Sequence, residues 1–342
     1  MRRSSRFGLA AVIVLLVLVG AYTAYWRIVA GQIQDGLVSW QQAQKAHKID
    51  ATWQGLRIAG FPFEFRVAIE DATLRDGSWN PAPELRLARL AGTARPWNFH
   101  DWRLSAPDGF LADLASTGGR PELKLLVKSA IGTVAVGSEG AAWIWVRGQG
   151  VVGEAAETIP IKSADAWITL PAHPASKDTD PSFGLALSLR QVGVPEPPPE
   201  FSKSIDELAV GVTVKGALPG GPLPHAVAAW RDAGGTIEVN SLHLQWGELG
   251  VDANGTLALD HKLQPVAAFS GGVEGFGAIF DALVAADRMT PEQASIVKIA
   301  LTSLAKAGPD GKPQLTVPFT IQNGKMYLGP ARLGSVPQIN WD

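Results

Sequence analysis

Cysteine is missing from all 342 residues, which removes disulfides, Cys-ligated zinc, iron–sulfur clusters, thiol catalysis and a lipidated N-terminal cysteine together. The compartment stays open, since many exported proteins also lack disulfides. A basic excess is missing too. Thirty Lys and Arg stand against 32 Asp and Glu, a net charge of -2, so the chain has no cationic surface of the kind that displaces counterions from nucleic acid. No nucleic-acid partner is expected. Long runs of like charge are also absent.

Chemical motifs are equally scarce. Gly148-Gln149-Gly150-Val151-Val152-Gly153 spells GxGxxG after the strand-like run Ala142 to Arg147. A dinucleotide turn needs a following helix whose amides face the pyrophosphate, and an acid about 20 residues later. Only Val151 to Ile159 intervene before Pro160, which favours a chance hairpin. His47, His100, His173, His225, His243 and His261 are scattered and match no close-set ligand pattern, so no metal is expected. His100-Asp101 and Asp260-His261 are adjacent, yet strand neighbours point to opposite faces and no activated-serine context accompanies them. Asp71 with Asp76, or Glu64 with Glu70, are conceivable carboxylate pairs; Glu64, Arg66 and Glu70 read better as the solvated face of a strand. Trp143 and Trp145 share a strand face and Trp97 lies near Trp102; core packing competes there with contact to a sugar or lipid chain. No catalytic residue or cofactor emerges, and the chain is read as non-enzymatic.

What the chain does possess begins at its N-terminus. After Arg2, Arg3 and Arg6, the stretch Phe7 to Trp26 carries no charge, and twenty helical residues at about 1.5 Å each span a hydrocarbon core of about 30 Å. Phe7, Leu15, Leu16 and Trp26 mark this anchor, with Tyr22, Tyr25 and Trp26 gathered at the end where amphipathic rings favour the interface. The flanking arginines predict a cytoplasmic N-terminus and an exported body. The competing reading is a cleaved signal peptide, for which Val19-Gly20-Ala21 is a passable site; the length of the apolar run and its aromatic end favour a retained anchor.

Ile28, Ile33, Leu37 and Trp40 extend the helical spacing to about His47. From Ile49 the period is two. Phe63, Phe65, Val67 and Ile69 alternate with Glu64, Arg66, Ala68 and Glu70. The same alternation recurs at Leu185, Leu187 and Leu189, at Val210, Val212 and Val214, at Leu242, Leu244 and Trp246, and at Leu315, Val317, Phe319 and Ile321. These predict half-buried antiparallel strands. Asn323-Gly324 predicts a tight hairpin, and Asn254-Gly255 a hairpin or a bulge. Phe276, Ile279, Phe280, Leu283 and Val284 form a helical stripe. A second helix starts at the capping box Thr290-Pro291-Glu292-Gln293, buries Val297, Ala300, Leu301 and Leu304, and ends before Gly308-Pro309. Leu218 to Ala233 adds a short helix. The fold class is therefore α+β and mostly β: a transmembrane helix, then a long curved antiparallel sheet with a C-terminal helix pair packed on it. The Pro-rich run VPEPPPE divides the body, giving an anchor over 1–26, a first β-rich lobe with its leading helix over 27–193, and a second with the helix pair over 194–342.

Taken in order, the anchor, the motif Trp53-x-Gly55-x-x-x-x-Gly60-Phe61-Pro62 before an alternating strand, the segment GTLALD, the helix pair, and NGKMYLGPARLGSVPQI resemble the bacterial family named domain of unknown function 2125. TIEVNSLHLQWGELGVDANGTLALD is also similar to the strand repeat of AsmA-type envelope proteins, whose antiparallel strands form a curved trough with an apolar inner wall. The first resemblance implies an inner-membrane-anchored periplasmic β-rich protein, the second lipid handling. The function expected is sheltering or transfer of phospholipid or another apolar ligand in envelope maintenance. The ligand-facing candidates are Phe63, Phe65, Val67, Ile69, Leu242, Leu244 and Trp246. The alternative is a periplasmic scaffold for envelope protein partners, and the least supported is an exported hydrolase. Everything turns on whether the apolar face of the sheet is covered by protein.

Overall fold

The computed structural model describes residues 2–78, 82–114, 123–137, 139–155, 157–220, 223–307, 313–328, 331–339 and 341. A single helix, α1 (Arg2–Ala46), leads into strands β1 (Ile49–Thr52), β2 (Gly55–Ala59), β3 (Phe65–Asp76), β4 (Glu84–Arg95), β5 (Asn98–Ala106) and β6 (Phe110–Leu114). The longer strands β7 (Leu123–Val136), β8 (Ala142–Glu154), β9 (Thr158–Leu170), β10 (Pro181–Gly193) and β11 (Ser204–Lys215) follow. Helix α2 (Leu223–Asp232) precedes β12 (Thr236–Trp246), β13 (Leu249–Leu259) and β14 (Pro265–Glu274). The pair α3 (Gly277–Ala285) and α4 (Pro291–Leu304) comes before β15 (Lys306–Ala307), β16 (Pro313–Gln322), β17 (Lys325–Leu328) and β18 (Ala331–Ser335).

All the strands join one sheet, and every resolved pairing is antiparallel. Its order follows the chain almost without exception, because short connections between alternating segments place each strand beside the last. β1 and β2 lie end to end along one edge of β3, and β5 and β6 share the slot between β4 and β7. The Pro-rich run at Val194 connects β10 to β11, and the hydrogen-bonded ladder continues directly from one to the other. Asn323 and Gly324, both at positive φ (53° and 67°), make the tight β16–β17 turn. Asn254 and Gly255 sit inside β13 instead, opposite a bulge in β12 between Val239 and Leu242.

Helix α1 covers the sheet edge made by β1 and β2, where unpaired strand groups would otherwise face solvent. Ile33 and Leu37 are half-buried on that side and the Gln41 amide donates to the Ala51 carbonyl (2.6 Å), while Ile28 and Trp40 stay exposed. From Val12 to Val19 the side chains of the apolar stretch are exposed, Leu15 and Leu16 among them. Phe7 lies in the helix, but its side chain is outside those described.

The ladder of β3 begins two residues later than the alternation suggests. Gly60 adopts φ +105° and its carbonyl accepts from the Glu64 amide (3.0 Å), a closed turn that keeps Phe63 out of register and 74% exposed. The helix pair forms as expected at its start: Thr290 and Gln293 complete the capping box. Its stripe differs. Val297 and Leu301 are half-buried and Ala294 is buried, but Ala300 and Leu304 are exposed: among the described residues α4 packs chiefly on α3 and β16, which leaves part of its apolar stripe uncovered. Gly308 and Pro309 lie outside the described residues.

A crease crosses the first half of the sheet. Positive φ occurs at Asp71 in β3, at Gly109 between β5 and β6, at Gly150 in β8 and at Gln191 in β10, on every second strand of the ladder. At the three of these that lie within strands the pairing omits a step: Asp71 opposite Ala88, Lys128 opposite Gly150, and Lys162 opposite Gln191. Beyond the crease the buried parity inverts, so that β8 buries Gly148 before Gly150 but Val151 and Gly153 after it. The GxGxxG motif is thus a mid-strand irregularity, not the hairpin expected. Gly150 is glycine because its φ of +58° disfavours a side chain, and any Cβ would press on Lys128.

The chain exposes 21208 Å². A compact monomer of its 36.2 kDa exposes about 13,400 Å², and a projecting helix the length of α1 adds on the order of 3,000 Å². Phe65 is the one large side chain among the described residues that is wholly enclosed.

Candidate apolar-ligand face

In an antiparallel ladder, directly paired residues share a face, so the register identifies rows that run across the strands. One row reads Ile58, Val67, Gly92, Leu104, Gly132, Val146, Ala166, Leu187, Val210, Leu242, Ala253 and Gly271, crossing the sheet from β2 to β14 without a polar side chain. A second runs from Ala106 through Ala130, Gly148 and Ala164 to Leu189, Leu208, Leu244, Val251, Val273 and Leu315. A third links Trp102, Val134, Ile144, Ile168, Leu185, Val212 and Val239. Three adjacent rows make a continuous apolar field.

The field is not sealed. Ile58, Leu104, Val146, Leu187, Val210 and Leu242 are all half-buried, whereas a second packed layer would bury them fully. Within the three rows the buried side chains are Val67 near α1, Ala106 and Ala130 at the crease, and Leu315 in β16. Leu185 is 38% exposed.

The opposite face is mixed. Its row through Ser105, Ile131, Arg147, Asp165, Ser188, Ala209, His243 and Asp252 alternates charge, hydroxyl and alkyl. Asp165 is only 2% exposed and is satisfied by the Arg147 Nε (2.7 Å) and the Trp145 indole (3.2 Å), with Arg147 over the Trp145 ring. A hollow of about 480 Å³ lies beside Trp167, Gly184 and Gly211.

Among the sequence-derived ligand-facing residues, the register brings together Val67 and Leu242 in one row and places Leu244 in the next. Ile69 pairs with Leu56 and Leu90 on the same field. Trp246 is held from outside by Phe201 (ring centroids 4.3 Å apart) and donates to the Ser202 carbonyl. Phe65 is enclosed by Trp26 and Phe99, and Phe63 is off the ladder, so neither lines the open field. Leu187 and Val210 were visible as alternating residues, but their alignment with Leu242 depends on cross-strand register, which sequence spacing does not carry.

The histidines do not converge. His100 Nδ1 contacts the Val136 carbonyl (2.9 Å), and His243 Nδ1 meets Asp252 (2.7 Å) across β12 and β13 on the exposed mixed face. That cross-strand pair has no signature in the linear sequence. Among the described residues no group of three His, Asp or Glu is placed to hold a metal ion. Three carboxylates are held below their ordinary range. Asp180 is held below the usual range by the Ser176 and Lys177 amides and the Ser176 hydroxyl. Glu84 is held low by hydrogen bonding to Arg86 against some burial. At Asp260 burial pushes upward, and the Gln264 and Lys262 amides outweigh it. All three lie in turns or at strand ends, where such bonds order backbone.

The family described as "Uncharacterized protein conserved in bacteria (DUF2125)" matches residues 26–337, from the junction of α1 with the sheet to the last strands. No curated protein and no solved structure matches the chain.

Proposed function

The chain belongs to the bacterial family of domain of unknown function 2125, and from its apolar field we propose that it is a non-enzymatic, inner-membrane-anchored protein that shelters lipid acyl chains. The body lies on the periplasmic side. The observation that carries the reading is the unbroken apolar row from Ile58 to Gly271, whose large side chains other than Val67 are left half-open. Covering apolar surface is worth about 25 cal/mol per Å², and each buried methylene about 0.8 kcal/mol. An acyl chain laid along the row takes the protein's own apolar area out of water, a gain set against the cost of association. Helix α1, long and apolar enough to cross a bilayer, brings the field to the source of such chains.

A photo-crosslinking side chain tests this in intact cells. Placed at Leu242 it is expected to yield lipid adducts; placed at His243, on the mixed face, it is expected to yield none. Equal labelling at both positions, or adducts at neither, would overturn the proposal.

A second reading, a scaffold for an envelope protein complex, is favoured by α4. Ile296 and Ile299 are 68% and 69% exposed on one side of that helix, the arrangement by which amphipathic helices meet partners. Crosslinking at Ile299 in membranes is expected to trap one discrete protein neighbour if this reading holds.

A further inference from the structure

We propose that the loop tips bearing Phe61, Phe63 and Trp97 form a second membrane contact, seated at the headgroup–acyl boundary of the bilayer that α1 crosses. The inference rests on α1 spanning that bilayer and adds where the sheet meets it.

Position comes first. The loop before β3 and the turn between β4 and β5 are fastened to one short stretch of α1. Tyr22 donates to the Pro62 carbonyl, Tyr25 to Pro96 (2.8 Å) and the Trp26 indole to Glu64 (3.2 Å). Trp26 also stacks on Phe65 (5.0 Å) and meets Phe61 edge-on (5.7 Å). These contacts hold both loops level with residues 22–26, within about two helical turns of Val19 in the apolar stretch. The tips cannot stand off from the bilayer surface without breaking that junction.

Exposure comes second. Trp26 and Phe65 are buried at the junction, yet Phe61 is 49%, Trp97 65% and Phe63 74% exposed beside them. Trp97 occupies the outer position of a two-residue turn, closed by the Arg95–Asn98 pair, that presents its ring outward. Three large aromatic rings left open at one corner form a patch that water does not favour and an interface does. Chemistry comes third. Arg27 and Arg95 are exposed around the patch, and Arg66 is there paired with Glu64. Aromatic rings at the acyl boundary with guanidinium groups at phosphate level fit an anionic phospholipid surface.

A single span leaves the helix and the sheet fastened to it free to rotate and tilt together in the bilayer. The second contact fixes one end of the apolar field, at Val67 and Ile69, against lipid.

The cysteine-free chain makes the test direct. Single cysteines replace Leu16, Phe63, Trp97 and, in the exposed β10–β11 connection, Glu200; each carries a spin label in the full chain, reconstituted in phosphatidylcholine–phosphatidylglycerol vesicles. Collision rates with oxygen and with a water-soluble nickel chelate report depth. The expected result is Leu16 deep, Glu200 aqueous, and Phe63 and Trp97 at intermediate depth, with an oxygen-to-nickel ratio several-fold above that of Glu200. If Phe63 and Trp97 match Glu200 while Leu16 is deep, the docking is overturned and the anchor stands. An aqueous Leu16 overturns both. Phe63 and Trp97 are exposed, so their labels leave the junction intact.

Discussion

The corner where α1 meets β2 to β5 and the middle of the sheet from β8 to β12 are built from the same residue types in opposite ways. At the corner, Trp26, Phe65, Val67 and Ala94 are buried and three α1 side chains donate to backbone carbonyls of the loops. In the middle, Val146, Leu187, Val210 and Leu242 stand in perfect register and remain half-open. The contrast separates two uses of apolar surface. The corner spends its burial on one fixed geometry between helix and sheet, and the middle leaves area that a further apolar body can cover.

The largest effect is expected at the corner. Trp26→Ala and Phe65→Ala each remove a stacked, buried ring and should cost about 3–5 kcal/mol, read as a lower midpoint in denaturant and as new protease cleavage near Tyr22 to Glu64. A smaller effect is expected in the middle. Leu187→Ala removes a half-open side chain and should cost about 1–1.5 kcal/mol, well below the 2–5 kcal/mol of a sealed leucine. A loss equal to that of Phe65→Ala would erase the distinction between the regions. Thr290→Ala, which deletes the capping box of α4, should cost about 1 kcal/mol, seen as loss of helical signal with the strands unchanged.

The smallest effect is a pH dependence. The Asp260 carboxyl is held below its ordinary value of 3.8. In the interval between the two values the unfolded chain binds the extra proton, so stability rises with pH there. The contribution is complete above the ordinary value and disappears as pH falls through the lower one. Asp260→Asn should lower stability at neutral pH and converge with the parent chain as pH falls below the lower value, flattening the acid limb; an equally steep limb would remove this role.

Much of this architecture was legible in single residues. The apolar run to Trp26, the strand alternations at Leu185 to Leu189 and Leu242 to Trp246, the turn at Asn323-Gly324 and the Thr290 capping box each depend on near neighbours, and each appears where the sequence places it. What escaped depends on distant ones. Phe63 obeys the alternation but loses it to a turn closed by Gly60 and Glu64. The crease at Gly150 reverses faces within a strand because Lys128 and Lys162 sit across from it, a fact of register. Whether Leu304 is buried depends on what lies beside α4, and periodicity alone cannot say. The ligand-facing set divides for the same reason: Val67, Leu242 and Leu244 share the field, whereas Phe65 is claimed by a helix nearly forty residues earlier.

The most direct test of the central claim counts the phospholipid that stays with the full-length protein after exhaustive detergent exchange, in the parent chain and in Leu187→Asp and Leu242→Asp. All three share α1, so lipid held around the span cancels. Tightly held lipid in the parent chain, lost from both variants while their sheet remains folded, is the expected result. An identical lipid count in all three would mean that the apolar rows hold none.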